Sequence, residues 1–99
     1  SLSLHEPQFV ERIRYMIKHA DNAVKSGEKY ELYKWEDGFW RKVWSGIAQQ
    51  DYLQIENLTS NRLYWLHCKS GGNEELPFLI NEKGKQQFPY EDLLNNIIR

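Results

Sequence analysis

Polar and aromatic residues interleave between residues 29 and 44, on both sides of an Asp-Gly pair at positions 37 and 38. Alternation with a period of two is typical of β-strands, and Asp-Gly is a preferred sequence for the tight turn of a β-hairpin. The pattern therefore predicts a hairpin with strands near residues 28–36 and 39–46.

Both hairpin strands carry apolar side chains on both faces, as expected where one face lies in a core and the other is partly covered or used for binding. Simple alternation predicts four pairs of residues that share a face: Tyr30 with Leu32, Tyr33 with Trp35, Trp40 with Trp44, and Phe39 with Val43. Part of this aromatic cluster must then belong to the core. Only one face can be a binding surface, and we expect it to be the Trp40/Trp44 face.

Four further segments have strand character, namely residues 51–58, 62–69, 76–80 and 86–88. The segment 62–69 is strongly apolar, which favours a central strand. The last two segments bracket the polar, glycine-containing stretch 81–85, which predicts a second hairpin. Pro77 is expected at the start or edge of its strand, because proline cannot donate a backbone hydrogen bond.

The two ends of the chain are less regular. Apolar residues within 9–20 fit either a helix, as at Phe9, Ile13 and Met16, or the odd face of a strand, as at Phe9, Ile13 and Ile17. Periodicity alone slightly favours the helix. The tail 89–99 predicts a short amphipathic helix, too short to be stable in water unless it packs on the domain or leads into a neighbour.

Composition fits one folded domain over residues 1–99. The chain is 40% hydrophobic and 27% charged, too apolar for disorder, and its 14% aromatic content favours sheet structure. We therefore predict an all-β fold, an antiparallel β-sandwich of immunoglobulin-like or jelly-roll-like form with a short C-terminal helix. The alternative is an α+β fold with an N-terminal helix at about residues 9–20.

Charge and chemistry exclude several function classes. The net charge is −1, with 13 basic and 14 acidic residues spread along the chain, so no basic patch for nucleic acid is expected. No apolar run approaches the roughly 18 residues of a membrane span. The three histidines and one cysteine lack metal-ligand spacing, so we expect neither a metal nor another cofactor.

Catalytic motifs are also missing from the sequence. It contains no G-x-S-x-G, Walker-type or G-x-G-x-x-G motif. His67 and Cys68 are adjacent, and adjacent strand residues point to opposite faces, so a catalytic dyad is not expected. Cys68 is predicted to be a buried structural thiol. We therefore predict that the domain is not an enzyme.

The aromatic residues are then the best candidates for a function. Trp and Tyr on one exposed sheet face can stack on sugar rings or anchor a protein partner. The candidate ligand-binding residues are Tyr33, Trp35, Trp40 and Trp44. The competing interpretation is that most of these rings fill the core, because large aromatics are highly buried on average.

Six short motifs, in order, carry a family resemblance: Arg12-Ile13-Arg14-Tyr15, Ala20-Asp21-Asn22-Ala23-Val24, Gly27-Glu28-Lys29-Tyr30-Glu31-Leu32-Tyr33-Lys34-Trp35, Asn61-Arg62-Leu63-Tyr64-Trp65-Leu66, Glu74-Glu75-Leu76-Pro77-Phe78 and Asn81-Glu82-Lys83-Gly84-Lys85-Gln86. Together they resemble the small β-rich modules at the C-terminal ends of large secreted or surface proteins of Bacteroidetes. Several of those proteins carry a transglutaminase-like, papain-type domain upstream. The resemblance covers roughly residues 10–88, and the tail 89–99 departs from it.

The resemblance implies an antiparallel β-sandwich, a strand rather than a helix within 9–20, and a secreted or cell-envelope setting. It implies no catalytic residue in this chain. We therefore expect a non-catalytic accessory module of a larger protein. It would pack against a neighbouring domain, bind a glycan or peptide through the aromatic hairpin, or do both. The alternative is a stand-alone α+β protein-interaction domain.

Overall fold

The computed structural model describes residues 14–18, 23–71 and 75–89. These residues contain seven strands: β1 Arg14–Ile17, β2 Lys29–Glu36, β3 Phe39–Ile47, β4 Leu53–Glu56, β5 Leu63–Cys68, β6 Phe78–Ile80 and β7 Gln86–Gln87. Five of them form a sheet in the order β3-β2-β5-β6-β7, and β1 pairs with β4. Every pairing among these described strands is antiparallel, as expected for an all-β fold.

Strand β1 decides between the two interpretations of the N-terminal segment. Residues 14–17 pair antiparallel with β4, so the helix proposed over 9–20 is wrong for these residues. Met16 is exposed and Ile17 is fully buried, as expected for alternating strand positions. The remainder of 9–20, apart from Lys18, lies outside the described residues. So do residues 90–99, which hold nearly all of the predicted C-terminal helix.

Two further predictions, a central strand at 62–69 and a second hairpin around 81–85, are confirmed. β5 lies between β2 and β6 and is therefore central, and β6 pairs with β7 as the second hairpin. The turn of that hairpin is held by Asn81, whose Oδ1 accepts hydrogen bonds from the backbone N–H groups of Lys83 and Lys85, both at 2.9 Å. Pro77 immediately precedes β6, as expected for a residue without an N–H.

The first hairpin turns at Asp37 and Gly38, as predicted, and both residues have positive φ angles, 56° and 88°. Two consecutive positive φ values define the turn type whose twist matches a two-residue hairpin. Away from the turn, the residues of the two strands pair one to one as far as Tyr33 and Lys42, with Trp35 opposite Trp40. The regular pairing is interrupted at Val43.

Val43 forms a β-bulge that changes the faces of β3. Tyr33 lies opposite Lys42 but Leu32 lies opposite Trp44, so Val43 has no partner in β2. An extra residue in one strand reverses the alternation beyond it. Trp44 therefore lies on the face of buried Leu32, away from Trp40. The predicted Trp40/Trp44 face is wrong for this reason.

One hydrophobic core joins the two sheets. Its buried members come from β1, β2, β4, β5, β6 and the intervening loops: Ile17, Val24, Tyr30, Leu32, Ala48, Leu53, Ile55, Leu58, Tyr64, Leu66, Cys68, Phe78 and Ile80. Trp44 and Phe88 pack against this cluster and are partly buried. The side chains on the opposite face of the five-stranded sheet are not members of this core cluster.

A candidate aromatic binding face

The face of the five-stranded sheet that points away from the core carries a row of rings. Cross-strand pairing places Trp35 opposite Trp40, Tyr33 opposite Trp65, and Glu31 opposite His67. We call the set Tyr33, Trp35, Trp40, Trp65 and His67 the outer aromatic face. It extends across three strands, β3, β2 and β5.

The rings of this face contact one another in sequence. Tyr33 stacks on Trp65 with ring centroids 5.0 Å apart, and Trp65 lies 5.9 Å from Trp40. Trp40 meets Trp35 edge to face at 5.3 Å, and Trp65 is 5.3 Å from His67. These separations fall in the range of favourable aromatic pairs, so the rings support each other in fixed orientations.

The rings are accessible to a ligand. Trp35 is 43% exposed, which is high for a tryptophan. The other four rings of the face are partly exposed rather than buried. The structure thus brings three of the predicted site residues together: Tyr33, Trp35 and Trp40.

Trp44, the fourth predicted site residue, is not part of this face. It packs against the core cluster and borders a separate concavity of about 440 Å³ on the side of Ile55 and Tyr64. The bulge at Val43 is the physical cause. We therefore remove Trp44 from the candidate site.

Sequence reasoning missed Trp65 and His67. They alternate in β5 with buried Tyr64, Leu66 and Cys68, so they point outward. The same alternation places His67 on the face opposite to Cys68 and places Trp65 on the face that points away from the core. This alternation could have been used to place Trp65 and His67 on the outer face. It is difficult to recognise because the segment 62–69 is strongly apolar throughout.

Glu31 anchors one end of the face with a network of polar contacts. Its carboxylate accepts a hydrogen bond from the Tyr33 hydroxyl at 2.8 Å. It also pairs with Lys42 Nζ at 3.3 Å and Lys69 Nζ at 3.9 Å. The hydrogen bond from Tyr33 is the largest influence that lowers the pKa of Glu31, and the two lysines lower it further. The same hydrogen bond raises the pKa of Tyr33.

Glu75 forms a second polar group beside the rings. Its Oε2 accepts the backbone N–H of Cys68 at 2.9 Å, and its Oε1 lies 2.9 Å from His67 Nδ1. Trp40, Trp65, Glu75 and Pro77 line a shallow concavity of about 490 Å³. The concavity thus combines apolar walls with one polar group that is fixed in position.

Within residues 14–18, 23–71 and 75–89, no group of three His, Cys, Asp or Glu side chains is arranged to hold a metal ion. In the same part of the chain, no helix is long and apolar enough to cross a membrane. Cys68 is buried, and its Sγ lies 3.2 Å from Ser70 Oγ. It faces the core, opposite to His67.

Comparisons with protein-family models, with curated proteins and with solved structures each found no match to this chain.

Proposed function

We propose that this chain is a non-catalytic accessory module of a larger secreted or envelope protein and that its outer aromatic face binds a glycan. The observation that carries the proposal is the continuous row of partly exposed rings across β3, β2 and β5. The family resemblance of residues 10–88 supports the setting. We also infer a β-sandwich fold, because both sheets contribute to one core.

The chemistry of a sugar suits this surface. A pyranose has a face of C–H groups that packs on an aromatic ring, and hydroxyl groups around its edge that require polar partners. The outer aromatic face offers rings at Trp40 and Trp65, with a carboxylate at Glu75 within the same concavity. Rings on a sheet form a broad platform, which fits an extended oligosaccharide better than a small enclosed ligand.

A glycan array followed by titration calorimetry tests this proposal. Trp35→Ala should weaken the binding of a hit by about tenfold or more, because well-packed tryptophans are frequent hot spots. Phe39→Ala is the matched control, since Phe39 is a 55% exposed aromatic on the same hairpin. It pairs with Glu36 and so points to the opposite face from Trp35.

The control variant should bind like the unchanged protein. Equal losses in both variants would show that the effect is not specific to the outer aromatic face. The absence of any glycan hit, with an array that detects known lectins, would refute glycan binding.

A second candidate function is packing against a neighbouring domain or binding a peptide. It is favoured by the exposed apolar residues along edge strand β3: Phe39, Val43 and Ile47. An edge strand offers backbone groups for pairing, and exposed apolar side chains along it can contact a peptide or domain that is added there. Hydrogen exchange tests this idea. Amides of β3 should be more protected in the full-length protein than in the isolated module, and equal protection would argue against it.

The stand-alone α+β interaction domain is a weaker candidate. Its N-terminal helix is replaced by strand β1 over residues 14–17. Circular dichroism can test the remainder of that proposal, because more than about a quarter helix would exceed what an all-β module contains.

A further inference from the structure

Two carboxylates adjoin the outer aromatic face, and their charges are balanced differently. Glu31 has two lysine partners, Lys42 and Lys69. Glu75 is only 11% exposed, yet within the described part of the chain its ion-pair partner is a histidine, His67, rather than a lysine or arginine. Burying a carboxylate without a full counter-charge is costly, so Glu75 is suited to receive a positive group from a ligand.

The geometry of Glu75 leaves room for such a group. A carboxylate has about four acceptor positions. One oxygen accepts the Cys68 N–H and the other contacts His67, so among the described residues each oxygen keeps a free acceptor position. These two contacts also fix the carboxylate in place, so a ligand would meet a preorganised acceptor.

The surroundings of Glu75 also favour a cation. Trp40 and Trp65 line the same concavity as Glu75. A positive group beside an indole ring is attracted by the negative face of the ring, and tryptophan gives the strongest such interaction among the aromatic side chains. An ammonium paired with Glu75 would therefore be stabilised from two sides.

We propose, on the basis of the glycan-binding function above, that the ligand is a glycan with free amino groups. One amino-sugar ring would pack on Trp40 and Trp65, and its ammonium would donate hydrogen bonds to Glu75. Charge-assisted hydrogen bonds are roughly twice as strong as neutral ones. The site would thus prefer an amino sugar to its neutral counterpart.

Three oligosaccharides of equal length test this inference by calorimetry at pH 7: oligomers of glucosamine, N-acetylglucosamine and glucose. The glucosamine oligomer should bind about tenfold more tightly than the other two. Glu75→Gln should remove that preference while leaving the weaker affinity common to all three, because the glutamine amide can still accept the Cys68 N–H. Glu36→Gln is the charge-matched control and should keep the preference.

The outcomes separate this inference from the proposed function. Equal affinity of the unchanged protein for all three oligomers would overturn the amino-sugar preference but leave glycan binding in place. Binding of none of them, or of any glycan, would overturn both. Equally tight binding of tetralysine would also overturn the inference, since the site would then select a cation and not a sugar. The measurement on the unchanged protein holds even if Glu75→Gln folds poorly.

Discussion

The indole of Trp44 occupies the space above Gly46, where an added Cβ would lie only 2.8 Å from Trp44 Cζ2. Gly46 pairs with Tyr30 and Trp44 pairs with Leu32, and both partners are fully buried. The missing side chain at position 46 therefore lets Trp44 lie against its own strand and pack on the core.

Gly46→Ala should destabilise the domain by about 1–2 kcal/mol. The methyl group would displace the Trp44 ring, a cost of about 1–3 kcal/mol for overpacking, partly offset by the lower entropy of the unfolded chain. Urea unfolding followed by tryptophan fluorescence measures the change. Ser45→Ala, at the adjacent exposed position, is the control and should stay within about 0.5 kcal/mol.

The same contact can be tested by a double-mutant cycle. If the Trp44 ring is what the methyl group meets, Gly46→Ala should cost much less in a Trp44→Leu background. Equal costs in both backgrounds would show that another group near Gly46 is responsible.

Local signals predicted the turns of this fold well. Asp37-Gly38 and the stretch 81–85 were recognised because turn chemistry depends on a few adjacent residues. The faces of β3 were not predicted beyond Val43, because a β-bulge depends on the partner strand as well as on its own sequence. Val43 is a strand-favouring residue and gives no sign of a bulge.

The candidate site was predicted only in part for a related reason. Tyr33 and Trp35 were correctly grouped, since they lie two residues apart in one regular strand. Trp65 joins them through the pairing of β2 with β5, about thirty residues further along the chain. Strand order of this kind depends on long-range packing, which alternation within one segment does not specify.

The hairpin turn leads to a second prediction. Gly38→Ala should destabilise the domain by about 1–2 kcal/mol, because a Cβ is unfavourable at a φ of 88°. Asp37→Asn is the control and should be nearly neutral, since asparagine tolerates a positive φ as well as aspartate does. Chemical unfolding of the two variants measures the difference, and equal stabilities would contradict the turn geometry.

The buried hydroxyl of Tyr64 leads to a third prediction. It accepts a hydrogen bond from the backbone N–H of Thr59 at 2.8 Å and holds the loop after β4 against the core. Tyr64→Phe should cost about 1 kcal/mol. The exchange of the Thr59 amide with solvent should also accelerate. Tyr52→Phe, at a partly exposed position, should change neither quantity, and unchanged exchange at Thr59 in Tyr64→Phe would contradict the assigned bond.

The Glu31 network predicts how stability depends on pH. The Tyr33 hydrogen bond first, and then Lys42 and Lys69, lower the pKa of Glu31 below its ordinary value of 4.5. A carboxyl group with a lowered pKa in the folded state stabilises the fold above its unfolded pKa. This contribution is lost as the pH falls through the folded pKa. Acidification below about pH 4.5 should therefore weaken the fold.

Tyr33→Phe removes the largest of these influences and should move the pKa of Glu31 back toward its ordinary value. Carbon-13 NMR titration of the Glu31 carboxyl measures that shift directly. Glu31→Gln should flatten the loss of stability below about pH 4.5. An unchanged Glu31 pKa in Tyr33→Phe would show that the lysines alone stabilise the carboxylate, and that the Tyr33 hydroxyl is free to meet a ligand.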